Sequence, residues 1–151
     1  MVWRGLRLAV RGIVVVEDQL LLVNAFRPGA GPELWCAPGG GVEAHKSLPD
    51  NLSREIYEET GLGTRVGELA LVNEFHDPEA GFHQVELYFR CSVTEGALDP
   101  AWEDPEGVVR ERRFFARDVL AGLPMKPARL AEVAFQPGVP AVYDPFERML
   151  R

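Results

Sequence analysis

The 151 residues carry a formal net charge of −7, are 46% hydrophobic and 26% charged, and include two cysteines. That length supports one ordinary domain with its own core and no need of covalent staples. The acidic balance repels polyanions and argues against a nucleic-acid polymer as partner, so an anionic small molecule would have to be drawn in locally, by metal ions or a small basic patch.

The N-terminus, Met1-Val2-Trp3-Arg4-Gly5-Leu6-Arg7, breaks its apolar residues with charges and does not read as a signal peptide. No apolar run approaches the roughly 20 residues of a membrane span. Cys36 and Cys91 have no CxxC spacing and read as small buried hydrophobes. The expectation is a cytoplasmic protein with no membrane attachment, its whole length, 1–151, forming one domain.

Leu6 to Val16 reads as a strand, ended by Glu17-Asp18-Gln19, with Leu20 to Asn24 as its hairpin partner. Pro28, Gly29, Gly31 and Pro32 mark Phe26 to Leu34 as a loop. After Trp35-Cys36-Ala37 comes Pro38-Gly39-Gly40-Gly41, then a helix. Ser47 can cap it, with Asp50 three residues on, Pro49 falls in the first turn, and Gly61 is a natural stop. Strands are expected over Glu68 to Glu74, Gln84 to Val93 and Val108 to Phe115. Short helices are expected over Ala116 to Gly122 and Pro127 to Phe135, the second longer and amphipathic. The tail from Gln136 holds three prolines and is expected to pack irregularly. Strands dominate around one strong helix, so the class is α/β or α+β with a mixed sheet.

The central helix carries the chemistry. At 100° per residue, Glu55, Glu58 and Glu59 share one arc, and that arc overlaps the apolar stripe of Leu48, Leu52 and Ile56. Like charges at these spacings repel. Arg54 can pair with Glu58, but one arginine cannot neutralise three acids. Hard divalent cations such as Mg²⁺ or Mn²⁺ can, because they favour oxygen ligands. Taken alone, an acidic cluster reads equally well as a solvated helix face.

The stretch Gly40 to Leu62 resembles the Nudix box, G-x5-E-x7-R-E-U-x-E-E-x-G-U, with U a bulky aliphatic residue. Gly40, Arg54, Glu55, Ile56, Glu58, Glu59, Gly61 and Leu62 fall on eight of its nine fixed positions; Lys46 stands where the pattern has Glu. Trp35-Cys36-Ala37-Pro38-Gly39-Gly40 is similar to the family's W-x-x-P-G-G approach.

The resemblance implies an α/β/α sandwich with a mixed sheet and hydrolysis of the pyrophosphate linkage of a nucleoside diphosphate derivative. Nucleoside triphosphates, nucleotide sugars and dinucleoside polyphosphates all qualify as the small-molecule substrate. It implies Glu58 and Glu59 as principal Mg²⁺ or Mn²⁺ ligands and Glu55 as a further ligand or the base that activates water. Arg54 would orient the glutamates, and Gly40 and Gly61 would shape the ends of the loop–helix–loop. Substrate contacts are expected from Gly39, Gly40, Lys46 and Arg27. Family members are commonly dimers, so a homodimer is one open outcome.

Lys46 leaves three outcomes open: slower turnover with Glu43 or another acid compensating, a lysine contact to phosphate, or a nucleotide-binding or regulatory module that has lost hydrolysis. A third class, an acidic adaptor for a protein partner, predicts no metal at the three glutamates. His45 stands where relatives often carry glycine. Family members often recruit one more acid from a loop before a late strand. Glu103, Asp104 and Glu106 lie in that region and Glu86 on a strand, though each taken singly reads as a surface acid. Phe75, His76, Phe82 and His83 could stack on a base, though core or loop packing is the plainer reading.

Overall fold

A computed structural model describes residues 5–24 and 34–144, and the backbone of 147–148. Arg27 lies outside the described residues, so its expected contact to substrate has no structural counterpart here.

The first strand, β1 (Arg7–Val16), turns through Glu17 and Asp18, both at positive φ (50° and 62°), into β2 (Gln19–Asn24). A two-residue turn with both residues left-handed matches the twist of an antiparallel hairpin. Two short strands follow, β3 (Trp35–Cys36) and β4 (Gly39–Gly41), then helix α1 (Leu48–Thr60). Next come the long hairpin β5 (Gly63–Asp77) and β6 (Phe82–Glu95), and β7 (Glu111–Ala116). Helices α2 (Arg117–Leu120) and α3 (Leu130–Ala134) precede two short strands, β8 (Val142–Tyr143) and β9 (Glu147–Arg148).

The nine strands found among the described residues form one mixed sheet in the order β3-β2-β1-β6-β5-β8, with β4 on β1, β7 on β2 and β9 on β5. The parallel β1–β6 pair lies at its centre. Side chains of β1 alternate between the two faces. Val10 and Val14 pack with Leu52 and Ile56 of α1, whereas Ile13 packs with Leu120, Leu130 and Val133 of α2 and α3. Helices cover both faces, which is the expected α/β/α arrangement.

Of the boundaries that differ from expectation, three do so for clear local reasons. Strand β5 begins at Gly63, five residues early, because register shifts at Gly63/Thr64, Val66/Leu69 and Leu69/Leu71 break the alternation that sequence reading relies on. Strand β7 begins at Glu111, not Val108, because the Asp104 carboxylate accepts the N–H groups of Val108 and Val109. Helix α3 is only Leu130–Ala134, and Leu130 donates to the Pro127 carbonyl in a turn that precedes it. The tail adds two parallel edge strands to β5 where irregular packing was expected. No helix among the described residues is long and apolar enough to cross a membrane.

Candidate active site

Helix α1 is held at both ends by the residues its sequence marks. Ser47 Oγ accepts from the Asp50 N–H at 3.1 Å. Gly61 takes φ 76° and donates to the Tyr57 carbonyl at 2.8 Å, a left-handed cap that suits glycine. Leu52 and Ile56 anchor the helix on the sheet, and that orientation turns Glu55 and Glu59, 7% and 8% exposed, inward. A freely solvated acidic face does not fit this placement.

The structure brings Glu55 and Glu58 together with Glu106 from the loop between β6 and β7. Each offers one carboxylate oxygen, and these oxygens lie within 4.8 Å of one another. Arg54 is the cation beside them, with Nη1 at 3.2 Å from Glu58 and Nη2 at 3.3 Å from Glu55. Burial raises the Glu55 carboxyl above its ordinary range against the pull of Arg54, and Glu106 and Glu58 push it further up. Three hard oxygen donors with one arginine among them fit a divalent cation of the Mg²⁺ or Mn²⁺ kind.

Glu59 is not one of that group of three. Its Oε2 accepts the Gly39 N–H at 3.2 Å, and burial pushes its pKa up to about 8 despite Arg11 and that hydrogen bond. Beneath it, Arg11 pairs with Glu86 at 2.5 Å and donates to the Ala37 carbonyl at 3.1 Å. Glu86 is therefore half of a buried ion pair. Since Arg11 also faces Gly39 in the β1–β4 register, the pair braces the glycine loop from below.

Gly40 leaves the space that Glu55 fills: a Cβ there would lie 2.9 Å from the carboxylate carbon and from both its oxygens. Lys46 is half exposed, and its Nζ donates to Glu43 at 3.0 Å. The other Glu43 oxygen is 3.5 Å from Arg54 Nη2. Lys46 and Arg54 together hold the Glu43 carboxyl below its usual range. An acid thus faces Arg54 from the loop although the box position is a lysine. Asn51 fastens this loop to the helix, accepting the Glu43 N–H at 2.9 Å and donating to the carbonyls of Lys46 and Ser47. His45 takes the left-handed φ of 70° that glycine would adopt freely.

A cleft of about 490 Å³ opens beside the box, between the start of β1, the segment after β4 and the turn into β6. Arg7, Leu8, Val42, Phe82 and His83 line it. Arg7 is hydrogen-bonded to Gln84 and lies along Gly41. Phe75 packs on Phe82 and His76 on His83 across the hairpin, as expected of packing residues. Asp104 turns its own loop by accepting the N–H groups of Glu106, Val108 and Val109. Cys36 and Cys91 are free thiols.

The Nudix domain family matches residues 5–135. The chain belongs to the Nudix family. Its similar curated proteins include diphosphoinositol polyphosphate phosphohydrolase 2 of Rattus norvegicus, 36% identical over 99 residues, covering 66% of this chain and 50% of that protein. A candidate ADP-ribose pyrophosphatase of Bacillus subtilis is 33% identical over 123 residues, covering 80% of this chain and 54% of the other. The chain thus spans about half the length of the curated relatives it matches. A solved Nudix hydrolase from Nitrosomonas europaea shares the fold at TM-score 0.70 and 20% identity, covering 85% of this chain and 86% of that one.

One element of this Nudix site escapes sequence reading, and another is named by it without being singled out. Arg11 looks like any strand residue until the β1–β6 pairing, which sets Ala9 opposite Glu86, brings that acid within its reach. Glu106 is one of three acids in one loop, and nothing in the chain order separates it from Glu103 or Asp104.

Proposed function

We propose that this Nudix chain hydrolyses the phosphoanhydride linkage of a nucleoside diphosphate derivative, with a divalent cation held at Glu55, Glu58 and Glu106. The convergence of those three carboxylates within 4.8 Å carries the reading. Glu59 is a further ligand candidate from the buried side. A bound Mg²⁺ or Mn²⁺ supplies charge withdrawal from the diphosphate oxygens and stabilises the leaving phosphate.

The chain's own groups do the rest. Arg54 holds Glu55 and Glu58 in place through its two nitrogens, and Glu43, itself paired with Lys46, faces Arg54 from the loop side. Glu55 would take the proton of the attacking water through the carboxylate oxygen not committed to the cation. The water oxygen bonds to phosphorus, the bridging P–O bond breaks, and the products are a nucleoside monophosphate and the phosphorylated remainder.

The cleft supports the substrate class. Phe82 and Leu8 offer apolar and aromatic surface for a base or ribose, and Arg7 offers one cation for a phosphate. A polyphosphorylated inositol, the substrate type named for the Rattus norvegicus relative, calls for several cations. Among the described residues lining the cleft, Arg7 is the single arginine and no lysine is present. The ADP-ribose type, named for the Bacillus subtilis relative, matches that balance better.

The test is incubation with ADP-ribose, nucleoside triphosphates, nucleotide sugars and dinucleoside polyphosphates, with Mg²⁺ or Mn²⁺, followed by chromatography of the products. The expected result is metal-dependent release of nucleoside monophosphate, abolished by chelation. Nucleotide binding without turnover on any compound would replace the enzyme with the binding-module reading.

A further inference from the structure

Glu106 sits on a loop, and a loop carboxylate is only as well placed as the loop itself. Residues 96–110 have internal order: Asp99 Oδ1 accepts the Ala101 N–H at 2.8 Å, and Asp104 accepts three further N–H groups. Such turns give the loop a shape without fixing where it stands relative to α1.

Two side chains fix that. Trp102 donates Nε1–H to the Glu58 carbonyl at 2.8 Å. Its ring meets Tyr57 edge-on at 5.3 Å and lies so close over Gly61 that a Cβ there would come within 2.9 Å. Arg112 stands on β7, in register with Val23 of β2. Its Nε donates to the Glu59 carbonyl at 2.6 Å and its Nη1 to the Trp102 carbonyl at 2.8 Å. The carbonyls of a helix's last turn have no partner within the helix, and they form its electronegative end. Helix α1 has no basic residue of its own in that turn, so Arg112 supplies the cation from the sheet.

We propose that Trp102 and Arg112 form a clamp on the Glu58 and Glu59 carbonyls that positions Glu106 against Glu55 and Glu58. The residues that bring carboxylates to the site thereby also provide, through their backbone, the seat for the arm carrying the third acid. Trp102 and Arg112 are positioning residues, and the proposal rests on the cation reading of that acidic group.

The test is Mn²⁺ binding to the metal-free protein without substrate, read by electron paramagnetic resonance of the unbound ion. Glu106→Gln should weaken binding. Trp102→Phe keeps an aromatic side chain but removes the Nε1–H donor together with the outer part of the indole that lies over Gly61, and Arg112→Lys keeps the charge and removes the fork. Each should weaken Mn²⁺ binding about tenfold, as loss of a group that orients a ligand does. Arg112→Met should weaken it more, and if that variant does not fold, the other two carry the test.

Combined with Glu106→Gln, neither Trp102→Phe nor Arg112→Lys should add further loss, because both act through Glu106. Unchanged binding in Glu106→Gln would overturn the cation reading itself. Weakened binding in Glu106→Gln, with wild-type binding in Trp102→Phe and Arg112→Lys or with multiplying losses in the doubles, would overturn the clamp alone.

Discussion

Replacing Gly40 by alanine perturbs one contact and little else. The backbone at Gly40 has no positive φ, so alanine meets no conformational penalty there. Its Cβ would lie 2.9 Å from Cδ, Oε1 and Oε2 of Glu55. A comfortable contact needs about half an ångström more, and the Glu55 carboxylate, at the free end of its side chain, is the group that shifts. A displacement of 1 Å at a reacting group costs about 10²-fold, so Gly40→Ala should lower kcat by roughly ten- to a hundredfold. The assay is steady-state hydrolysis of the best panel substrate at saturating Mg²⁺, alongside the melting temperature, which should barely change. The variant combined with Glu55→Gln should be no slower than Glu55→Gln alone. Wild-type kcat in Gly40→Ala would refute the placement of Glu55 as an acting group.

Lys46→Ala should leave the melting temperature unchanged and kcat within about threefold, because Lys46 forms an exposed pair with Glu43 and Glu43 already faces Arg54; a loss beyond tenfold would assign Lys46 to substrate. Arg11→Met strands the buried Glu86 carboxylate and should cost about 3–5 kcal/mol in urea unfolding. Adding Glu86→Leu should restore most of that loss, and no recovery would contradict the bracing role. Glu59 has a folded pKa of about 8, above its unfolded value, so the folded metal-free protein binds the extra proton between about pH 4.5 and 8. Its stability should therefore fall as pH rises through that window, and Mg²⁺ should raise the melting temperature more at pH 8.5 than at pH 6. An equal Mg²⁺ effect at both values would remove Glu59 from the metal's surroundings.

The chemistry-bearing helix was legible because its signals are local. Ser47, Pro49 and Gly61 mark its ends, and the apolar stripe of Leu52 and Ile56 sets which way Glu55 and Glu59 turn. The hairpin of β1 and β2 was legible for the same reason. What escaped depends on distant register. Glu106 approaches Glu55 from a loop that Trp102 and Arg112 tie to the end of α1, and Arg11 finds Glu86 across the parallel β1–β6 pair. Lys46 looked like a reversal of charge at the site. In space it secures Glu43 toward Arg54, a relation set by the Asn51-fastened turn and invisible in the spacing. The bulges of β5 hid its first five residues by breaking the period-two pattern.

In the proposed function the helix carboxylates hold the cation that drives phosphoanhydride cleavage. The most direct measurement is the Mg²⁺ dependence of nucleoside monophosphate release from the best panel substrate, wild type against Glu58→Gln. Removing one of three ligand oxygens should raise the half-saturating Mg²⁺ concentration and lower kcat by roughly 10²-fold or more. Equal Mg²⁺ dependence and equal kcat in the two proteins would contradict it.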